Sequence, residues 1–163
     1  MNLPMSAKVI HSTAFTAQAA RLIEDEARQA VARGGLFRLG LCGGNTPRPV
    51  YEALAQTDLP WAKIQITFGD ERCVPPDDAQ SNYRMAHEAW LGKVPFPEGN
   101  IFRMRGELPP PEAADEYQAR LTAVAARMGE PRYVHDLLLL GMGDDGHTAS
   151  LFPETAALGE TER

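Results

Sequence analysis

The sequence predicts an α/β fold with a mostly parallel sheet. Two observations predict it. Short apolar, β-favouring runs alternate with longer segments of helical period along the whole chain. One of those runs, Asp136-Leu137-Leu138-Leu139-Leu140, is nearly continuous in apolar residues, as in a strand buried on both faces. With 163 residues the chain has room for one domain, residues 1–163, around a single sizeable core.

Each element follows in order. Lys8-Val9-Ile10-His11 reads as a weak first strand. Ala19, Leu22, Ile23, Ala27, Ala30 and Val31 then share one helical face, with Glu24, Asp25, Arg28 and Gln29 opposite, and Gly34-Gly35 stops that helix. Leu36–Cys42 is a strand ending in Gly43-Gly44. Thr46 is placed to cap a helix that starts at Pro47 and runs through Val50, Tyr51 and Leu54. Ile64-Gln65-Ile66-Thr67-Phe68 is an alternating strand, followed by a polar loop to Gln80. Ser81 caps a helix over Asn82–Leu91, and Ile101–Met104 is a short strand. Pro109-Pro110-Pro111 opens a helix carrying Ala114, Tyr117, Leu121, Val124, Ala125 and Met128 on one face.

Composition excludes several classes. Apolar residues are 44% and charged residues 23%, which is the balance of a globular chain. The net charge of −6 argues against nucleic acid or an anionic membrane surface as partner, so an anionic ligand needs a locally basic pocket. No apolar run is long enough to span a membrane. The start, Met1–Lys8, has no basic end followed by an apolar stretch and so shows no secretory signal. Two cysteines, Cys42 and Cys73, are too few for a disulfide framework or a Cys-rich zinc site, and they point to a reducing cytoplasm.

Three unusual loops each follow a predicted strand. In an open parallel sheet they gather at the carboxyl edge, where ligands bind. Gly43-Gly44-Asn45-Thr46-Pro47 joins a strand to a helix and suits a phosphate, although a plain tight turn explains the same residues. The Walker lysine and spacing are absent. Asp70-Glu71-Arg72 offers a guanidinium for an anion, with one carboxylate lining the edge and the other in solvent. A solvated ion pair is the alternative. Gly141-Met142-Gly143-Asp144-Asp145-Gly146-His147 contains G-x-G-x-x-G, yet its aspartates would repel a pyrophosphate and the chain ends before a ribose-binding acid is due. The loop reads better as presenting His147 beside Asp145 for acid–base work. A capped helix start with an incidental histidine is the structural alternative. Metal binding ranks below acid–base work, because one His and two Asp lack a firm ligand set. His11, His87 and His135 read as structural or surface residues.

Taken together, Leu41–Pro47, Phe68–Pro75 with Ser81-Asn82-Tyr83, and Leu140–Pro153 resemble the 6-phosphogluconolactonases, the lactone hydrolases of the pentose phosphate pathway. The resemblance implies a Rossmann-like open sheet with helices on both faces, of the glucosamine-6-phosphate deaminase kind. It implies hydrolysis of a sugar-phosphate lactone without metal or cofactor. His147 would act as general base on water, Asp145 would orient it, and Arg72 would serve the phosphate or the oxyanion. Substrate contacts would fall to Gly43, Gly44, Asn45, Thr46, Asp70 and Gly143. The deaminases are the runner-up, since they share a Gly-rich turn and an Asp-Gly-His. They continue, however, into an apolar-Ala-Phe-Asn segment, where this chain has Thr148-Ala149-Ser150-Leu151-Phe152-Pro153. Family members also continue well past the Ser-Leu-Phe-Pro segment, whereas this sequence stops ten residues after Pro153. The expectation is therefore a C-terminally incomplete or naturally short chain, with a non-catalytic sugar-phosphate-binding remnant as a further alternative. An open, apolar sheet edge would follow from that shortness.

Overall fold

The computed structural model describes residues 8–161. The Met1–Ala7 part of the segment on which the no-signal expectation rests lies outside them.

Helix α1 spans Phe15–Gly34 and ends on Gly35 in the left-handed region, whose N–H returns to the Val31 carbonyl. Strand β1 is Phe37–Leu41, helix α2 is Arg48–Leu54, strand β2 is Ile64–Phe68 and helix α3 is Asn82–Ala86. Helix α4 is Pro110–Arg127 and strand β3 is Leu137–Leu138. The sheet order is β2-β1-β3, parallel throughout, so all three carboxyl ends point the same way.

The two faces of the sheet differ in chemistry because β1 and β2 alternate in register. Phe37 pairs with Ile64, Leu39 with Ile66 and Leu41 with Phe68, and all six are buried in one core with Ile23 and Ala27 of α1, Val50, Tyr51 and Leu54 of α2, and Ala86 of α3. Trp90 fills that core against Tyr51, Trp61 and Phe96. The opposite face carries Arg38, Gly40, Gln65 and Thr67. There Arg38 forks onto Glu130 at 2.6 and 2.8 Å, Tyr133 donates to Gln65 at 3.1 Å, and Thr67 Oγ1 lies 2.7 Å from His135 Nε2. Helix α4 covers this second face at a distance. Its Tyr117 hydroxyl donates to the Phe68 carbonyl and accepts from the Phe68 N–H, and Arg120 lies over the Phe102 ring. Helices thus lie on both faces.

Several expectations need correction. Residues 8–11 form no strand: Val9 and Ile10 are exposed, and among the described residues no strand pairs with them. Thr46 caps nothing. Helix α2 begins one residue later than expected, with Pro47 at its cap position and no side-chain cap. The Ser81 cap is present, accepting from the Arg84 N–H, but the helix widens into a π-turn over His87–Leu91, where the Gly92 N–H reaches the His87 carbonyl. Residues 101–104 contribute a single bridge, Ile66 to Ile101. Leu22 and Ala114, placed on buried helical faces, are exposed.

The largest correction concerns β3. It is two residues long and not buried on both faces: Leu138 is 43% and Leu140 58% exposed. A parallel strand is covered only when strands flank it, and among the described residues β3 has β1 alone as neighbour. Hydrogen bonds to β1 hold it at both ends: the Arg38 N–H donates to Asp136 Oδ2 at 2.8 Å, the Asp136 N–H to the Arg38 carbonyl, and the Leu139 N–H to the Gly40 carbonyl at 2.9 Å. The open apolar edge expected from the sequence is this one.

His135 makes the second face sensitive to pH. Burial, and next the Arg38 guanidinium, hold its imidazole below the ordinary histidine range, while Asp136 works the other way. The unfolded chain therefore binds a proton more readily than the folded one. Stability from this group is complete above its ordinary pKa of about 6.5 and is lost as pH falls below it. Thermal unfolding should shift to lower temperature between pH 7 and 5.5, and His135→Gln should flatten that dependence. An unchanged slope in the variant would remove His135 from the explanation.

Candidate active site

The loops after β1, β2 and β3 all leave from the carboxyl edge. A cavity of about 1120 Å³ opens there, between α4 and the second sheet face, with Asp70, Arg72, Tyr117, His135 and Ser150 in its wall. A smaller cleft of about 330 Å³ adjoins it, bordered by Gly44, Asn45, Arg48, Arg72, Asn82 and Arg84. Arg72 belongs to both, so its exposed guanidinium sits on the lip between them.

The two acids before Arg72 have separate tasks. Glu71 does not face solvent. Its carboxylate closes the start of α3, accepting from the backbone N–H of Asn82 at 2.7 Å and Tyr83 at 2.8 Å and from the Ser81 hydroxyl at 3.1 Å. Those amides have no partner inside the helix, so an acceptor there is worth more than a surface ion pair. Asp70 instead faces the cavity. Asn82 Nδ2 donates to its Oδ1 at 3.2 Å and Ser150 Oγ to its Oδ2 at 3.0 Å.

Asn82 explains Gly43. Its side chain is buried and lies so close over Gly43 that an added Cβ would sit 1.8 Å from Asn82 Oδ1. Gly43→Ala must expel the amide that holds Asp70, and overpacking of this kind costs about 1–3 kcal/mol. Thermal melts should register that loss, and an unaltered melting temperature would mean that the loop yields freely. Gly44 follows with φ +98°, a conformation for which glycine is suited. Thr46 is exposed and borders neither cavity.

In the third loop, His147 Nδ1 lies 2.5 Å from Asp145 Oδ1, which also accepts the His147 backbone N–H at 3.1 Å. The imidazole contact, and next that backbone bond, hold the Asp145 carboxyl below the usual range, so it is ionised at neutral pH. The far face of the imidazole stacks on Phe152 at 4.5 Å between centroids. Gly143 lies beneath the ring: a Cβ there would come within 2.2 Å of His147 Cε1. With Nδ1 committed to Asp145, Nε2 is left as the atom that can exchange a proton. His147 is not in the wall of either cavity. Its loop meets the larger one through Ser150.

The structure therefore brings Asp70 and Arg72 into one cavity, and Gly44 and Asn45 with Arg72 into the other. It pairs His147 with Asp145, and gives Gly43 and Gly143 the role of making room for Asn82 and His147. Asn82 and Ser150 are site residues that no sequence pattern singles out. Both stand in the quoted motifs, but only the folded contact to Asp70 distinguishes them.

Most of the chain is similar to known proteins of one family. A family model described as glucosamine-6-phosphate isomerases/6-phosphogluconolactonase matches residues 11–163. The 6-phosphogluconolactonase of Synechocystis sp. is 49% identical over 131 residues, covering 80% of this chain and 55% of that protein. The 6-phosphogluconolactonase of Nostoc sp. is 44% identical over 153 residues, covering 93% and 63%. Among solved structures, the Trypanosoma brucei 6-phosphogluconolactonase superposes with a TM-score of 0.79 at 29% identity, over 94% of this chain and 65% of that one. The Thermotoga maritima 6-phosphogluconolactonase gives 0.77 at 32% identity, over 84% and 60%. The chain thus spans 55–63% of the length of the two curated relatives. With the family model covering nearly all of it, the chain belongs to the glucosamine-6-phosphate isomerase/6-phosphogluconolactonase family.

Proposed function

We propose that the protein hydrolyses 6-phospho-D-glucono-1,5-lactone to 6-phospho-D-gluconate, the lactone-opening step of the oxidative pentose phosphate pathway, within one α/β unit. The observation that carries this reading is the Asp145–His147 pair on a loop hydrogen-bonded to the cavity that holds Arg72. The names of the curated relatives support the same substrate.

In this reading His147 Nε2 takes a proton from water as the water oxygen bonds to the lactone carbonyl carbon. The carbon–ring-oxygen ester bond then breaks, and the proton passes to the leaving ring oxygen. Asp145 fixes the tautomer and stabilises the imidazolium. Arg72, with the Gly44–Asn45 turn across the smaller cleft, takes the 6-phosphate, because guanidinium geometry matches phosphate oxygens, whereas Arg48 and Arg84 in that cleft are paired with Glu88. Water is the nucleophile, so no cofactor or metal enters the scheme, and EDTA should leave the rate unchanged. Inhibition by EDTA that added metal reverses would contradict this. The free thiols of Cys42 and Cys73 fit a reducing cytoplasm. Among the described residues no helix is long and apolar enough to cross a membrane.

The test is a comparison of substrates with purified protein, corrected for spontaneous lactone opening. Rapid opening of the phosphorylated lactone, with no ammonia released from glucosamine-6-phosphate, is expected. Ammonia release without lactone opening would instead assign the chain to the deaminase branch, and neither activity would leave a non-catalytic binding protein.

A further inference from the structure

Ser150 joins the His147 loop to the end of β2. Its hydroxyl donates to Asp70 Oδ2 at 3.0 Å, across 80 residues of sequence. The other carboxylate oxygen, Oδ1, accepts from Asn82 Nδ2, and the same amide donates to the Asp70 carbonyl at 3.1 Å. Asn82 is only 4% exposed, so one side of Asp70 is fixed to the packed body of the protein while the other holds a surface loop. A hydroxyl donating to a carboxylate is among the stronger hydrogen bonds.

The local backbone is shaped to deliver that hydroxyl. Thr148 and Leu151 exchange backbone hydrogen bonds at 3.4 and 3.0 Å around Ala149 and Ser150. Ala149 holds φ at +51°, in the left-handed region that an alanine occupies only at a cost. His147 immediately precedes this turn, and its carbonyl accepts the Gly143 N–H at 2.9 Å. The turn, the His147 backbone and Gly143 are thus bonded into one piece, and Ser150 ties that piece to Asp70.

We propose that Asp70 and Ser150 form a clasp that seats the His147 loop against the cavity, with Ser150 a positioning residue and Asp70 its anchor. The consequence for turnover rests on the lactonase reading above, whereas the clasp itself does not. Misplacing a general base by about 1 Å costs up to about 10²-fold in rate.

The experiment measures Ser150→Ala, Ser150→Thr, Asp70→Asn and the Ser150→Ala/Asp70→Asn double variant in two ways. Steady-state lactone hydrolysis gives kcat and KM, and amide exchange reports on the Gly143 and Leu151 N–H groups. Ser150→Ala should lower kcat about 10–100-fold with KM nearly unchanged, and the retained hydroxyl of Ser150→Thr should restore most of the rate. The double variant should be little slower than Asp70→Asn alone, since the hydroxyl has no carboxylate to meet once Asp70 is replaced. Exchange at Gly143 and Leu151 should quicken in Ser150→Ala and not in Ser150→Thr. A raised KM with kcat preserved would put Ser150 on the substrate and overturn the proposal, as would unaltered amide exchange in Ser150→Ala. If the parent protein opens no lactone, the functional reading fails, and the exchange data alone still decide on the clasp.

Discussion

Replacing His147 by alanine should lower lactone turnover by about 10²–10⁴-fold, the usual contribution of a positioned general base. KM should change little, because in the proposed scheme the imidazole meets the attacking water rather than the sugar phosphate. Asp145→Asn should also be damaging. An amide in place of the carboxylate could present an N–H to Nδ1 and would no longer stabilise the imidazolium, although the 2.5 Å contact could still be made. Gly143→Ala should imitate the His147 loss in part, since its new Cβ occupies the space of the ring. Steady-state rates for the three variants check these expectations together. A His147→Ala protein that turns over at the parent rate would remove the residue from the mechanism.

Arg72→Ala should weaken 6-phosphogluconate far more than unphosphorylated gluconate. A guanidinium–phosphate contact is charge-assisted and bidentate, and losing a hydrogen bond of that class costs about 1.5–3 kcal/mol, or roughly 10–150-fold in affinity. Titration calorimetry on the two ligands separates the possibilities. Equal losses would put Arg72 at the carbonyl end, where it would serve the oxyanion. No loss for either would leave it a solvated cation on the lip of two cavities.

What was legible in the sequence follows from how local each signal is. Helix α1, the Ser81 cap and the strands at 37–41 and 64–68 are written in short periods and single capping residues, and they stand where the pattern puts them. The parallel arrangement and the gathering of three loops at one edge followed from alternation alone. Burial of a strand is different, because it depends on neighbours. The apolar run 136–140 looks the same whether flanked on two sides or one, and here Leu138 and Leu140 are left facing outward. The residues at 8–11 likewise have the composition of a strand but, among the described residues, no strand to pair with.

The division of labour inside the motifs was hidden for a related reason. Asp70 and Glu71 are adjacent acids, and only the position of α3 turns one into a helix cap and leaves the other at the cavity. Gly43 and Gly143 read as loop glycines near a ligand. Their constraint comes from Asn82, 39 positions away, and from His147 folding back over its own loop. Contacts between distant segments leave no periodic trace.

Chemical rescue tests most directly that an imidazole at position 147 drives the reaction. In His147→Ala, millimolar imidazole should raise the rate of 6-phosphogluconolactone opening above both the unrescued variant and the reaction of imidazole with the lactone in free solution. The parent protein should not respond. Absence of rescue in a folded His147→Ala variant, together with full activity in Asp145→Asn, would contradict a base at this position.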